Sequence, residues 1–131
     1  YRTPATHFVA DFIGEANLLP GRYADGMVTL GPYAFPFRQD GIAASTVTVM
    51  VRPETVQVET EGDGLPGRIR TAFFMGTTID YLIDTPAGEV SVSEAPRARG
   101  VLPVGADVRL RFTEAGVYLL PGPDGPTEHG A

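Results

Sequence analysis

Thr46-Val47-Thr48-Val49-Met50-Val51-Arg52 decides the fold of this chain. Its three valines fall on one side of an extended backbone, and Thr46, Thr48 and Met50 fall on the other, the period of two that marks a half-buried strand. Ile79-Asp80-Tyr81-Leu82-Ile83-Asp84 alternates in the same way, with Ile79, Tyr81 and Ile83 on one face. Slipping either strand by one residue would turn its apolar row into water, so both registers are fixed.

Outward from these two segments, short runs of β-branched and aromatic residues repeat from Gly21 onward, punctuated by Gly and Pro about every ten residues. Sixteen glycines and twelve prolines supply the corners. The expected strands are 23–30, 33–38, 45–51, 56–59, 67–75, 77–85, 89–93, 107–112 and 117–120. Nine strands exceed one five-stranded barrel, so the expected fold is mainly β, built from OB-like barrel units. An internal echo, Leu19-Pro-Gly-Arg-Tyr23 against Leu65-Pro-Gly-Arg-Ile69, reads as the same turn placed before two strand runs and agrees with two units.

Ahead of the β region, Phe8, Val9, Phe12 and Ile13 recur at helical spacing, after Pro4 and Thr6 and before Gly14. One short helix is expected there. Phe8 and Phe12 would pack either on the domain's own sheet or on another domain or subunit. The acidic stretch Glu59–Pro66 reads as a surface loop and Pro121–Glu128 as a frayed tail. Because the sequence begins at Tyr1 in linker-like composition, it reads as part of a larger protein, with residues 1–21 as linker and helix, 22–121 as the β domain and 122–131 as a flexible tail.

Composition removes several chemistries. All ten basic residues are arginine, so no lysine can hold a nucleotide phosphate in a P-loop, form a Schiff base or carry biotin or lipoate. A formal charge of −6 opposes phosphate backbones, and nucleic acid is not an expected partner. With no cysteine there is neither disulfide nor thiolate metal site, and His7 and His129 are the only imidazoles. No metal site is expected. The Glu59–Asp63 cluster lacks the spacing of an EF-hand. Ser45, Ser91 and Ser93 are the serines, but no Gly-x-Ser-x-Gly elbow accompanies them. Asp80 and Asp84, four residues apart on a strand, stand roughly 13 Å from each other, too far for a coupled carboxylate pair.

Two further features stand out. Val51-Arg-Pro-Glu-Thr-Val56 ends a hydrophobic strand at Pro53 and flanks it with opposite charges. Arg52 and Glu54 would either bridge the turn or contact a partner domain. In Phe73-Phe74-Met75, consecutive large apolar residues on a strand cannot all face one core. At least one must lie between barrel units or at a dimer contact.

Taken in order, Phe8-Val-Ala-Asp-Phe-Ile-Gly14 with Asn17, Val51-Arg-Pro-Glu54, Gly67-Arg-Ile-Arg-Thr-Ala-Phe-Phe-Met-Gly76 leading to Tyr81-Leu-Ile83, Gly105-Ala-Asp-Val-Arg-Leu-Arg-Phe112 and Val117-Tyr-Leu-Leu120 are similar to segments of bacterial ABC-importer ATP-binding subunits of the polyamine, ferric-iron and sugar type. The resemblance spans nearly the whole chain and falls on the C-terminal TOBE-type regulatory domain. It implies OB-like units, no catalysis in this piece, and ATP and magnesium held by a preceding ATPase domain. It also implies a second copy of the subunit and membrane permease subunits as partners, at the cytoplasmic face of the membrane. The candidate interface residues are Phe8, Phe12, Arg52, Glu54, Phe73, Phe74 and Met75. Two other readings stay open: oxyanion binding of the molybdate kind, using hydroxyls such as Thr77, Thr78, Ser91 and Ser93, and single-strand nucleic-acid binding along Arg68 and Arg70 or Arg109 and Arg111.

Overall fold

A computed structural model describes residues 16–121. The expected helix, with Phe8 and Phe12, and the expected tail 122–131 lie outside the described residues. Ten strands form two five-stranded antiparallel sheets. β1 (Asn17–Ala24), β2 (Met27–Leu30), β3 (Tyr33–Pro36) and β4 (Ser45–Val51) are followed by the 3₁₀ turn Pro53–Thr55 and by β5 (Gln57–Glu59). β6 (Leu65–Phe74), β7 (Ile79–Thr85), β8 (Gly88–Glu94) and β9 (Asp107–Arg111) are followed by the 3₁₀ turn Glu114–Gly116 and by β10 (Val117–Pro121). The second half therefore repeats the first, strand for strand.

The sheets do not respect the halves. Their orders are β10-β4-β1-β2-β3 and β5-β9-β6-β7-β8, so the fifth strand of each repeat completes the sheet of the other. β10 pairs with β4 through Val117↔Val51 to Pro121↔Val47, and β5 pairs with β9 through Gln57↔Arg111 to Glu59↔Arg109. The two crossing segments touch: the Arg52 amide donates to the Gly116 carbonyl at 2.9 Å. A Cβ on Gly116 would overlap the Thr55 side chain. Only glycine lets the turns pass each other this closely.

The expected alternations hold. Val47, Val49 and Val51 are buried, as are Ile79, Tyr81 and Ile83. Met50 differs, being fully buried although it sits on the threonine face. One apolar cluster contains residues of both sheets, from Leu19, Val28 and Leu30 to Ile69, Ile83 and Leu110. The two curled sheets are thus OB-like units sharing one core.

Three expectations need correction. The run 23–30 is not one strand, because Asp25 and Gly26 take positive φ values of 54° and 74° and fold it into the β1–β2 hairpin. β1 itself begins at Asn17, within the segment read as linker and helix. The Leu-Pro-Gly-Arg echo is not a turn but lies inside β1 and β6, the central strands of the two sheets. Its leucines are buried, and its glycines let the neighbouring strand approach: a Cβ would come within 2.8 Å of the Thr29 carbonyl of β2 at Gly21 and within 2.7 Å of Ile83 Cγ2 of β7 at Gly67. Proline survives in each strand because a ladder is present on only one side there: β4 beside Pro20, β9 beside Pro66.

Side chains close the edges that the ladders leave. The Gln39 amide donates to the Leu119 carbonyl and accepts from the Leu119 amide, both at 2.9 Å, which imitates a paired strand along β10. At the equivalent place in the other unit, Arg97 and Arg99 donate to the Val58 carbonyl at 2.8 and 2.9 Å. Both guanidinium groups also meet Glu94, so they tie β5 to β8 at opposite edges of one sheet. Asn17, buried on β1, joins the two units. Its carbonyl accepts from the Ser91 amide at 2.7 Å and its amide donates to the Ser91 carbonyl at 2.9 Å.

Replacing Asn17 by Ala leaves both Ser91 backbone groups without their partner and is expected to destabilise the chain by about 1–3 kcal/mol in equilibrium denaturation. Gly116→Ala is expected to cost a similar ~1–3 kcal/mol through overpacking, and part of that loss should return in the Gly116→Ala/Thr55→Ala double variant. A Gly116→Ala protein as stable as the parent would show that the crossing is looser than described.

Candidate functional site

The first crossing turn and the β6–β7 ribbon, far apart in sequence, form one cleft. It has a volume of about 400 Å³, and its walls include Pro53, Glu54, Phe73, Asp80, Ser91 and Ser93. The Pro53–Thr55 turn packs against β8, which places the Arg52-Pro53-Glu54 feature beside Phe73.

Arg52 occupies the N-cap of the turn in an extended conformation, with no side-chain cap, and Pro53 follows at a first-turn position where its missing amide is harmless. The Thr55 hydroxyl donates to the Arg52 carbonyl at 2.8 Å. The Arg52 guanidinium and Glu54 carboxylate stand 3.9 Å apart, both partly in water. A pair of that kind contributes well under about 1 kcal/mol, so it orients the turn more than it stabilises it.

Asp80 is the polar centre of the cleft. The hydroxyls of Thr78 and Ser93 donate to the same carboxylate oxygen, Oδ1, at 3.2 and 2.9 Å. Two of the hydroxyls considered for oxyanion binding therefore already serve an anion. An oxyanion placed here would meet the carboxylates of Asp80 and Glu54, which disfavour it electrostatically. No histidine reaches Ser91 or Ser93 among the described residues, and those residues hold no group of three or more His, Cys, Asp or Glu suited to a metal ion.

Phe73, Phe74 and Met75 are 61%, 61% and 60% exposed. Burial between the units, one of the two accounts open to them, is thereby excluded: the ribbon tip stands in solvent. Phe73 pairs with Asp80 and Phe74 with Ile79, so the rings lie on opposite faces of the ribbon.

The basic stripe on β6 is largely neutralised. Arg70 pairs with Asp84 at 3.0 Å and Glu89 at 2.9 Å, and Arg68 with Asp107 at 3.3 Å. The hydrogen bond and charge of Asp84, then Glu89, hold the Arg70 guanidinium above its ordinary pKa. Arg111 donates to the Asp63 carbonyl at 2.8 Å.

Asn17, Gln39, Arg97 and Arg99 were not singled out for edge closure by their sequence neighbourhoods. Their roles depend on backbone groups 34 to 80 residues away for Asn17, Gln39, Arg97 and Arg99 alike. Asp25-Gly26 was a legible hairpin signal.

The arrangement is that of a β module: two strand-exchanged OB-like units, a carboxylate-lined cleft and an apolar projecting ribbon. The TOBE domain family matches residues 49–120, from the middle of β4 through β10, and the chain belongs to that family. It is 33% identical over 120 residues to the sulfate/thiosulfate import ATP-binding protein CysA of Xanthomonas campestris pv. campestris, covering 90% of this chain and 34% of that protein. It is 28% identical over 126 residues to the Fe(3+) ions import ATP-binding protein FbpC of Agrobacterium fabrum, covering 92% of this chain and 35% of that protein. The chain thus spans about a third of the length of these relatives. Among solved structures it is similar to the cytoplasmic molybdate-binding protein ModG in a molybdate-bound form, with a TM-score of 0.62 and 16% identity, over 84% of this chain and 99% of that one. At that identity the likeness concerns the fold.

Replacing Phe73, Phe74 and Met75 together by serine removes side chains that stand mostly in water and is expected to cost no more than about 1 kcal/mol of stability. Chemical denaturation checks this. A larger loss would mean that the ribbon tip supports the core.

Proposed function

We propose that this chain is the C-terminal regulatory and dimerisation domain of the ATP-binding subunit of an ABC importer. The observation that carries the reading is its TOBE membership together with relatives about three times as long that are named import ATP-binding proteins. The parent subunit would hydrolyse ATP with magnesium in a domain outside this chain. It would work as a homodimer under membrane permease subunits, at the cytoplasmic face of the membrane. Ferric iron is a proposed cargo on the strength of the named relatives, and polyamine is the other cargo proposed from the sequence.

The geometry supports a scaffold and contact role. Two units joined by exchanged strands supply a scaffold; of the proposed contact residues, Glu54 and Phe73 line the cleft, Arg52 begins the turn at its wall, and Phe74 and Met75 are exposed on the adjoining ribbon. Exposed consecutive aromatics are suited to burial against another protein. For Phe8 and Phe12, in the segment leading to β1, contact with the rest of the subunit remains part of the proposal.

Light scattering of the chain over a concentration series tests the pairing role. A mass that rises from one copy to two with concentration, and that stays at one copy in the Phe73→Ser/Phe74→Ser/Met75→Ser variant, is expected. A single copy throughout would remove dimerisation from the domain and leave signal relay. Titration calorimetry with molybdate is expected to be silent, given the carboxylates that face the cleft.

A further inference from the structure

The β6–β7 ribbon carries a strand edge that nothing else in the described chain covers. β9 runs beside β6 only from Leu65 to Arg68. The Ile69 backbone then bonds to Gly105 and Ala106, the last such contacts on that side among the described residues, while a bulge between Ile69 and Thr71 shifts the register of the ladder with β7. Beyond the bulge, β6 is paired on the β7 side alone.

The direction of the free groups follows from the hairpin. The Met75 amide donates to the Thr78 carbonyl at 2.7 Å, which makes that rung a hydrogen-bonded one. Bonded and non-bonded rungs alternate in antiparallel strands. Phe73 and Thr71 therefore bond toward β7, and the amides and carbonyls of Ala72 and Phe74 point away from it. No backbone partner meets them among the described residues. An exposed edge flanked by large apolar side chains is a template for another strand.

We propose that this edge pairs with the same edge of a second copy, antiparallel about a twofold axis through Phe73. This deepens the pairing role proposed above and rests on it. The outward groups select the register. Ala72 of each copy meets Phe74 of the other in hydrogen-bonded rungs, giving about four backbone bonds, and Phe73 faces its own copy across a non-bonded rung. The segment is self-complementary in that register: ring meets ring on one face, while Phe74 lies across small Ala72 on the other. Thr71–Met75 carries no charge, so the net charge of −6 does not concentrate at the seam. The two Asp80 carboxylates would stand about 14 Å apart, three strand spacings, beyond the range of strong repulsion in physiological salt. The seam is shorter than a standard interface, so the pair formed by this chain alone is weak and appears only at high concentration.

The chain has no cysteine, so a single introduced thiol reports the register. Position 73 would sit about 4.5 Å Cα to Cα from its copy, within disulfide range, whereas position 74 would sit about 8 Å from its copy, beyond it. Under mild oxidation at high protein concentration, Phe73→Cys is expected to give a covalent dimer and Phe74→Cys to remain mostly a monomer. Ala72→Pro removes an outward amide without touching the β7 ladder. It is expected to abolish the concentration-dependent dimer while circular dichroism and melting stay as in the parent. A dimer that survives Ala72→Pro, with both thiols cross-linking equally, rejects this seam and keeps dimerisation through another surface. A chain that is monomeric at every concentration, with no cross-link at 73, overturns both the seam and the pairing role.

Discussion

The contact between Arg52 and Gly116 is the constraint on which the molecule depends. At that point the two chain segments that exchange strands pass each other, backbone to backbone, with Thr55 filling the space a side chain on Gly116 would need. Each unit is finished only by the fifth strand of the other. Neither half can complete its sheet alone, and the exchange couples the two units into one cooperative body with one apolar cluster.

Around that crossing, the polar side chains divide the remaining edges between closed and open. Gln39 imitates a strand on β10, Arg97 and Arg99 clamp the Val58 carbonyl on β5, and Asn17 satisfies Ser91 on β8. In each case a buried or half-buried backbone group would otherwise lack a partner, a cost comparable to a lost hydrogen bond. The distal half of β6 is treated differently: among the described residues no side chain closes it, and large apolar residues flank it. That contrast is the observation from which the contact role of the ribbon is proposed.

The cleft beside the ribbon shows how position alters the meaning of a residue. Thr78 and Ser93 offer hydroxyls that suit an oxyanion when read alone, yet both donate to Asp80. Arg68 and Arg70 suit a phosphate backbone when read alone, yet carboxylates on β7, β8 and β9 neutralise them. Except for the local Thr78–Asp80 bond, ligand chemistry here follows from cross-strand neighbours that sequence spacing does not specify.

The sequence by itself determined the strand-rich class, the registers of β4 and β7, the absence of lysine and thiol chemistry, and the end of β4 at Arg52-Pro53. These follow from period-two alternation and residue type, both local properties. It also contained the Asp25-Gly26 hairpin and the start of β1, which the Leu-Pro-Gly-Arg echo concealed because proline and glycine in sequence resemble a turn. Only the tertiary structure decided that the echo sits in two central strands, that the fifth strands are exchanged, and that Phe73, Phe74 and Met75 project into solvent together. Strand pairing between segments far apart is fixed by shared burial and by matching backbone hydrogen bonds. Those conditions exist only once the whole chain is assembled.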